Sequence, residues 1–364
     1  ATGRVVVPGF IDMHSHADLS LLVEPDAESL VQQGITTVVT GQCGTSPAPL
    51  AEEHREDTLR TLSMLIPPGL SMPWDEISSF GSFLDYLEKA ETPVNVVPLV
   101  GQGMIRAAVL GYRAGAPTED ETEQMQGLVH EAMDGGAYGL STGLIYPPGS
   151  FTGTEELIDV VRPVAEYSGL YFSHIRGEAE TLLEAVGEAI EIGRRAGVAV
   201  QVCHFKAAGR DNWDKAPAAL ALIDRARSEG LDVTADMYPY TGGATYLAAL
   251  LPKWALEGGT PGLLRRLDLP EERTRIVEAI KAGEGGVVGT IEWDKVLIAG
   301  SAKREYVGHA VSELAAQAET DPLLWTLDAL RLTSGNLTMV VLSMSEDNVR
   351  MQLQHPAMML CTDG

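Results

Sequence analysis

The sequence predicts an α/β fold, a closed (β/α)8 barrel, and three observations carry that expectation. Eight short β-rich runs are strung along the chain, stretches that read as helix separate them, and several runs switch abruptly from apolar to polar at their C-terminal ends. The runs are VVVPGFIDMHSH (5–16), ITTVVTGQCG (35–44), VNVVPLVG (94–101), AYGLSTGLIY (137–146), LYFSHIRG (170–177), VAVQVCHF (198–205), LDVTADMYPY (231–240) and AMMLCTDG (357–364). Strands that alternate with helices pair in parallel, and eight such units close into a barrel.

The connecting segments bear helix marks. Thr118 is an N-cap, with Glu119, Asp120 and Glu121 crowding the first turn that follows it. In 179–196, Leu182, Leu183, Val186, Ile190 and Ile192 form an apolar stripe, Arg194 and Arg195 favour the C-terminus, and Gly197 closes the helix. Between Tyr240 and Ala357 the rhythm breaks into more than one connection can use, so 241–356 is read as an insertion between the seventh and eighth strands. Such insertions build on the face where barrel strands end, and a lid or pocket wall is expected within a single barrel domain spanning 1–364.

Composition narrows the function. Of 364 residues 45% are hydrophobic, with 38 Gly and 20 Pro, which is a globular balance rather than a disordered or low-complexity one. A net charge of −25 repels nucleic-acid phosphates and anionic membrane surfaces, so the expected partner is a small molecule. Cys43, Cys203 and Cys361 are far apart with no CxxC pair, no run reaches the roughly 18 apolar residues of a membrane span, and a reduced, cytoplasmic protein is expected. Oligomeric state is left open.

The polar tips hold the chemistry. In HSH, His14 and His16 are two residues apart on a strand and would share a face, able to grip one metal ion together. His174 ends YFSH and His204 ends QVCH, each an apolar run closing on one imidazole, and Cys43 ends TVVTGQC, where a thiolate suits zinc. Asp363 closes LCTDG and offers the carboxylate base that metal-assisted hydrolysis needs, although a turn or helix N-cap would also explain an aspartate there. By the same alternation Cys203 points away from the barrel interior as a buried small hydrophobe, and Cys361 packs lower in the barrel. His54, His130, His309 and His355 lie in charged helical or loop contexts and are read as surface.

Taken together, PGFIDMHSHAD (8–18), GITTVVTGQCGTSPAPL (34–50), GAYGLSTGLIYPPG (136–149), YFSHIRGE (171–178), VCHFKAAGRDNW (202–213), DVTADMYPYTGG (232–243) and LCTDG (360–364) resemble the amidohydrolase superfamily, and within it the D-aminoacylase (N-acyl-D-amino-acid deacylase) family. The resemblance implies a TIM-like barrel of the metal-dependent hydrolase type. It implies a tightly bound Zn2+ on Cys43, His174 and His204, and a second, weaker metal position on His14, His16 and Asp363. It implies hydrolysis of an N-acyl-D-amino acid to a carboxylate and a free D-amino acid, with Asp363 as the catalytic base. Lys206 would bind the substrate carboxylate, with Tyr238 as a second contact and Tyr240 as a further candidate; Arg176 is either a substrate contact or a salt bridge.

Several features depart from the family pattern. Gln42 stands where Asn is usual, and Ala244 where a small hydroxyl residue is usual, Thr245 being the nearby substitute. Relatives begin with a β segment before the barrel and run on past the final Asp into a small β-sandwich and a last helix. This chain has neither, so a barrel truncated at both ends is expected. Two rivals differ in class. A cyclic amidase of the hydantoinase or dihydropyrimidinase kind would need a bridging lysine on the fourth strand, and AYGLSTGLIY has none, Cys43 taking the bridging place. A catalytically silent metal-binding barrel would have no use for a base at Asp363.

Overall fold

Each of the eight apolar runs becomes a strand, and each strand is shorter than its run because the polar tip leaves the ladder. The computed structural model describes residues 3–63, 66, 71–287 and 289–364. The strands are β1 (Phe10–Asp12), β2 (Ile35–Thr40), β3 (Asn95–Pro98), β4 (Val100–Gly101), β5 (Gly139–Gly143), β6 (Leu170–His174), β7 (Ala199–Val202), β8 (Val233–Met237), β9 (Gly243–Tyr246), β10 (Val296–Ser301), β11 (Leu337–Val341) and β12 (Met358–Leu360). β3 and β4 are one strand interrupted at Leu99, whose N–H still bonds the Thr40 carbonyl.

β1-β2-β3 and β12-β8-β7-β6-β5-β4 form two parallel arcs. The ring closes just beyond β1 and β12, where Asp363 N–H donates to His14 O at 2.9 Å and His16 N–H to Gly364 O at 2.7 Å. The result is a closed (β/α)8 barrel. Helices cover its outside, and Val200, Val202, Val233 and Ala235 face them in the main core. Val39, Leu99, Phe172 and Cys203 instead fill the barrel interior.

The local marks read from the sequence operate as expected. Thr118 caps Glu119–Asp134 through a reciprocal box with Glu121. Helix Leu182–Ala196 ends on Gly197 at φ 79°, a left-handed cap that suits glycine. Between β8 and β12, β9, β11 and β10 build a three-stranded antiparallel sheet with its own apolar core around Leu250, Leu263, Ile298, Leu330 and Met339. The chain then returns through helix Glu346–Leu353, which packs on β12 and on helix Ala216–Ser228.

Candidate active site

The mouth of the barrel is built by residues at or just past the strand ends. His174 is the last residue of β6, whereas Cys43, His204 and Asp363 lie beyond β2, β7 and β12. All three of these have left-handed backbone, with φ of 53°, 32° and 54°. Such a conformation costs a non-glycine residue on the order of 1 kcal/mol, and strain of this kind concentrates at functional sites. Here it breaks the alternation of the strand and turns each side chain into the mouth.

That break corrects two expectations. Cys203 does not point away from the interior: Gln201 and Cys203 share the inward face, and the Cys203 thiol lies 3.7 Å from Gln42 Oε1 with Val39, Leu99 and Phe172 around it. It is His204, the next residue, that leaves the strand register. His14 and His16 do not owe their convergence to strand alternation either. β1 ends at Asp12; His14 lies in the bend that follows, and His16 stands at the N-cap of helix Ala17–Ser20.

The six candidate ligands nevertheless meet. Cys43 Sγ lies 3.3 Å from His174 Nδ1, 3.4 Å from His204 Nε2 and 3.4 Å from His14 Nε2. His174 Nδ1 and His204 Nε2 are 2.9 Å apart. A tetrahedral zinc with ordinary bond lengths needs its nitrogens roughly 3.3 Å apart and sulfur and nitrogen roughly 3.5 Å apart, so this donor set fits such an ion. On the other side of Cys43, Asp363 Oδ1 lies 3.3 Å from His14 Nε2 and 3.6 Å from His16 Nε2, and the donor sets there close enough for one cation are His14 with His204 and Asp363, and His14 with His16 and Cys43.

The electrostatics favour the metal-binding forms of the two anionic donors, Cys43 and Asp363. Burial penalises the Cys43 thiolate, but His14, His174 and His204 outweigh it and hold the thiol well below its usual range. Burial likewise opposes ionisation of Asp363, yet His14 and His16 bring it down to about 2. Against the pull of burial, Asp363 and Cys43 push His16 up to about 10, so without a metal this imidazole holds a proton that a bound cation would displace. Thiolate and carboxylate are the forms that coordinate metals.

Two residues absent from the sequence-based site complete it. Asp236 is fully buried in β8 and accepts the His204 N–H at 2.7 Å and the Gln201 amide at 2.7 Å, with His14 Nδ1 3.5 Å away. Its signal was available: an aspartate of inward parity in VTADM. Glu178 lies 2.6 Å from Lys206 Nζ, 3.1 Å from His204 Nδ1 and 4.0 Å from His174 Nε2. Burial raises the Glu178 pKa, but Lys206 and the two imidazoles outweigh it, and the group stays ionised; Glu178 in turn raises Lys206 against burial. A lone glutamate in the HIRGE loop carries no periodic signal.

Above these groups opens a cavity of about 360 Å3, lined by His16, Cys43, His174, His204 and Asp363, with Lys206 and Tyr238 on one side. Tyr146 faces it, its ring 5.0 Å from that of His174 and its hydroxyl 2.7 Å from Thr245 Oγ1. Ala244, Thr245 and Tyr246 of β9, with Thr338 and Val341 of β11, supply a wall from the inserted segment. Tyr240 is exposed and stacks on Tyr238 outside the lining. Arg176 is a salt bridge, 2.8 Å from Glu188. Gln42 reaches Met13 O at 3.2 Å and ties the second strand's loop to the first. Cys361 packs with Met237 and Tyr238. His54, His130, His309 and His355 stand away from the cavity lining.

This arrangement has known counterparts. A family model described as the amidohydrolase family matches residues 1–237. The chain is 40% identical over 246 residues to a D-aminoacylase of Alcaligenes xylosoxydans xylosoxydans, covering 68% of this chain and 49% of that one. It is 41% identical over 251 residues to an N-acyl-D-aspartate deacylase of the same organism, covering 68% and 48%. The chain thus spans about half the length of these curated relatives. Among solved structures, an N-acyl-D-glutamate deacylase from Bordetella bronchiseptica, complexed with zinc and a phosphonate inhibitor, superposes with a TM-score of 0.79 at 32% identity, over 98% of this chain and 65% of that one.

Proposed function

The chain belongs to the amidohydrolase family, and from that premise we propose that it is a zinc-dependent hydrolase of the amide bond in N-acyl-D-amino acids. The observation that carries the reading is Cys43 standing between two donor groups, His174 with His204 on one side and His14 with Asp363 on the other. Cys43, His174 and His204 would hold the tighter zinc, and His14, His16 and Asp363 the weaker position. What zinc supplies when bound is Lewis acidity toward a carbonyl oxygen and acidification of water to near neutrality.

The chain's own groups do the rest. Asp363 accepts the proton of the attacking water at its carboxylate, water adds to the carbonyl carbon, and the same proton passes to the nitrogen as the C–N bond breaks. The products are a carboxylate and a free amino acid. Glu178 orients the imidazole of His204, and Asp236 holds the His204 backbone N–H with the His14 ring 3.5 Å away. Lys206 keeps its charge; its ammonium donates to Glu178 and lies 2.9 Å from His204 Nδ1, and the donor left over supports Lys206 as the anchor for the substrate carboxylate, with Tyr238 beside it. β9 and β11 form the wall that shields the reacting groups from water. The D preference rests on the D-specific names of the relatives. No helix among the described residues is long and apolar enough to cross a membrane, and three free, buried thiols support a reducing, cytoplasmic setting.

The test is release of free amine from matched N-acetyl-D- and N-acetyl-L-amino acids by zinc-loaded protein. Cleavage of the D forms is expected. Asp363→Asn is expected to lower turnover by roughly 100-fold or more while metal analysis still finds zinc on Cys43, His174 and His204. Cleavage of cyclic amides alone would overturn the substrate, and an active Asp363→Asn would overturn the assignment of the base.

A further inference from the structure

A second cavity opens off the first. Its volume is about 70 Å3, against about 360 Å3 for the main one, and the two share Thr61, Ile145, Tyr146, Pro147 and Tyr246 as a common rim. Beyond the rim, the annex is lined by Tyr112, Ala248, Ala249, Leu256, Thr260 and Leu263. Among the described residues none of its walls carries a charge. The Tyr112 hydroxyl is already bonded to Thr61 Oγ1 at 2.7 Å. A recess of this size has room for several methylene-sized groups, and an apolar wall favours an apolar occupant over ordered water.

The topology of the barrel says which end of a substrate would enter it. In the ring, β12 and β5 stand four places apart, which in a barrel of eight puts them on opposite walls. Asp363 follows β12, and Tyr238 follows the adjoining β8, packed with Cys361 and 5.6 Å from Lys206 Nζ. Tyr146, Ile145 and Pro147 follow β5. The leaving nitrogen must lie against Asp363 to receive its proton, and the carboxylate of the same half belongs with Lys206 and Tyr238. The acyl half then projects toward the opposite wall, where the annex opens behind Tyr146.

Resting on the hydrolytic reading above, we propose that the annex is an acyl subsite, and that the preferred substrates carry an unbranched apolar acyl chain longer than acetyl. Each methylene that leaves water for an apolar recess is expected to raise kcat/KM about fourfold until the recess is full.

The experiment compares N-acetyl, N-butanoyl and N-hexanoyl derivatives of one D-amino acid with zinc-loaded protein. A rise of roughly fifteenfold from acetyl to butanoyl is expected; a flat or falling series overturns the subsite. Ala248→Phe fills the annex without touching the main cavity, and it is expected to remove the gain on longer chains while leaving the N-acetyl rate unchanged. Thr260→Met narrows the annex from the facing helix and serves if Ala248→Phe does not fold. A plug that instead alters the choice among amino-acid side chains at fixed acetyl overturns the proposal, because the annex would then hold the other half. If no N-acyl amino acid is cleaved, the hydrolytic reading falls, and calorimetric binding of the N-acetyl and N-hexanoyl pair decides the subsite alone: equal affinities overturn it.

Discussion

Glu178 fixes the imidazole that heads β7. His204 presents Nε2 to Cys43, so its Nδ1 faces inward, where Glu178 Oε1 lies 3.1 Å away and binds Lys206 at 2.6 Å as well. One carboxylate thus sets the ring orientation and balances a buried ammonium. Glu178→Gln keeps the shape but removes the charge, and zinc affinity measured by chelator competition is expected to fall about 10- to 100-fold. Unchanged affinity would show that Glu178 serves Lys206 alone. At this scale the sequence was uneven. His14, His16, Cys43, His174, His204 and Asp363 stood out because each ends an apolar run. Glu178 did not, since a loop glutamate looks like any solvated charge until the fold buries it.

Helices Gln102–Leu110 and Thr154–Glu166 are joined by a buried pair, Arg106 Nε to Glu156 Oε1 at 2.9 Å, with the remaining guanidinium donors on the carbonyls of Arg113 and Gly115. Arg106 is fully buried, so Glu156→Ala leaves a cation without its counter-charge. The expected loss is roughly 3–5 kcal/mol, read from the denaturant midpoint, and replacing both partners by apolar residues should recover most of it. A loss under about 1 kcal/mol would show that the carbonyls suffice. Element marks that act within one turn, such as the Thr118–Glu121 box and the Gly197 cap, were legible in the sequence. The antiparallel sheet of the insertion was not, because β9 pairs with β11 across more than ninety intervening residues and leaves no local pattern.

The whole barrel depends on one seam. Asp12 accepts hydrogen bonds from Thr362 N at 2.9 Å, Thr362 Oγ1 at 2.5 Å and its neighbour His14 N at 3.3 Å, joining the first strand to the last. The seam also sets Asp363, the next residue, beside His14 and His16. Asp12→Ala removes all three bonds, and a loss of roughly 3 kcal/mol is expected. Amide exchange at Thr362 and Asp363 should speed up in the variant; unchanged protection would show that the backbone bonds from Asp363 to His14 and from His16 to Gly364 close the ring unaided.

The sequence by itself determined the alternation of strand and helix, the polar tips and the chemical types of the donors, because periodicity and side-chain identity are local properties. Only the tertiary structure decided how the donors meet. Cys43 is 131 residues from His174 and 161 from His204, and ring closure rather than any spacing brings their ligand atoms within 3.4 Å. It also decided which way the tips face. Left-handed turns at Cys43, His204 and Asp363 override the two-residue alternation, and a backbone turn of that kind at a non-glycine residue is held by its surroundings, not by its own preference.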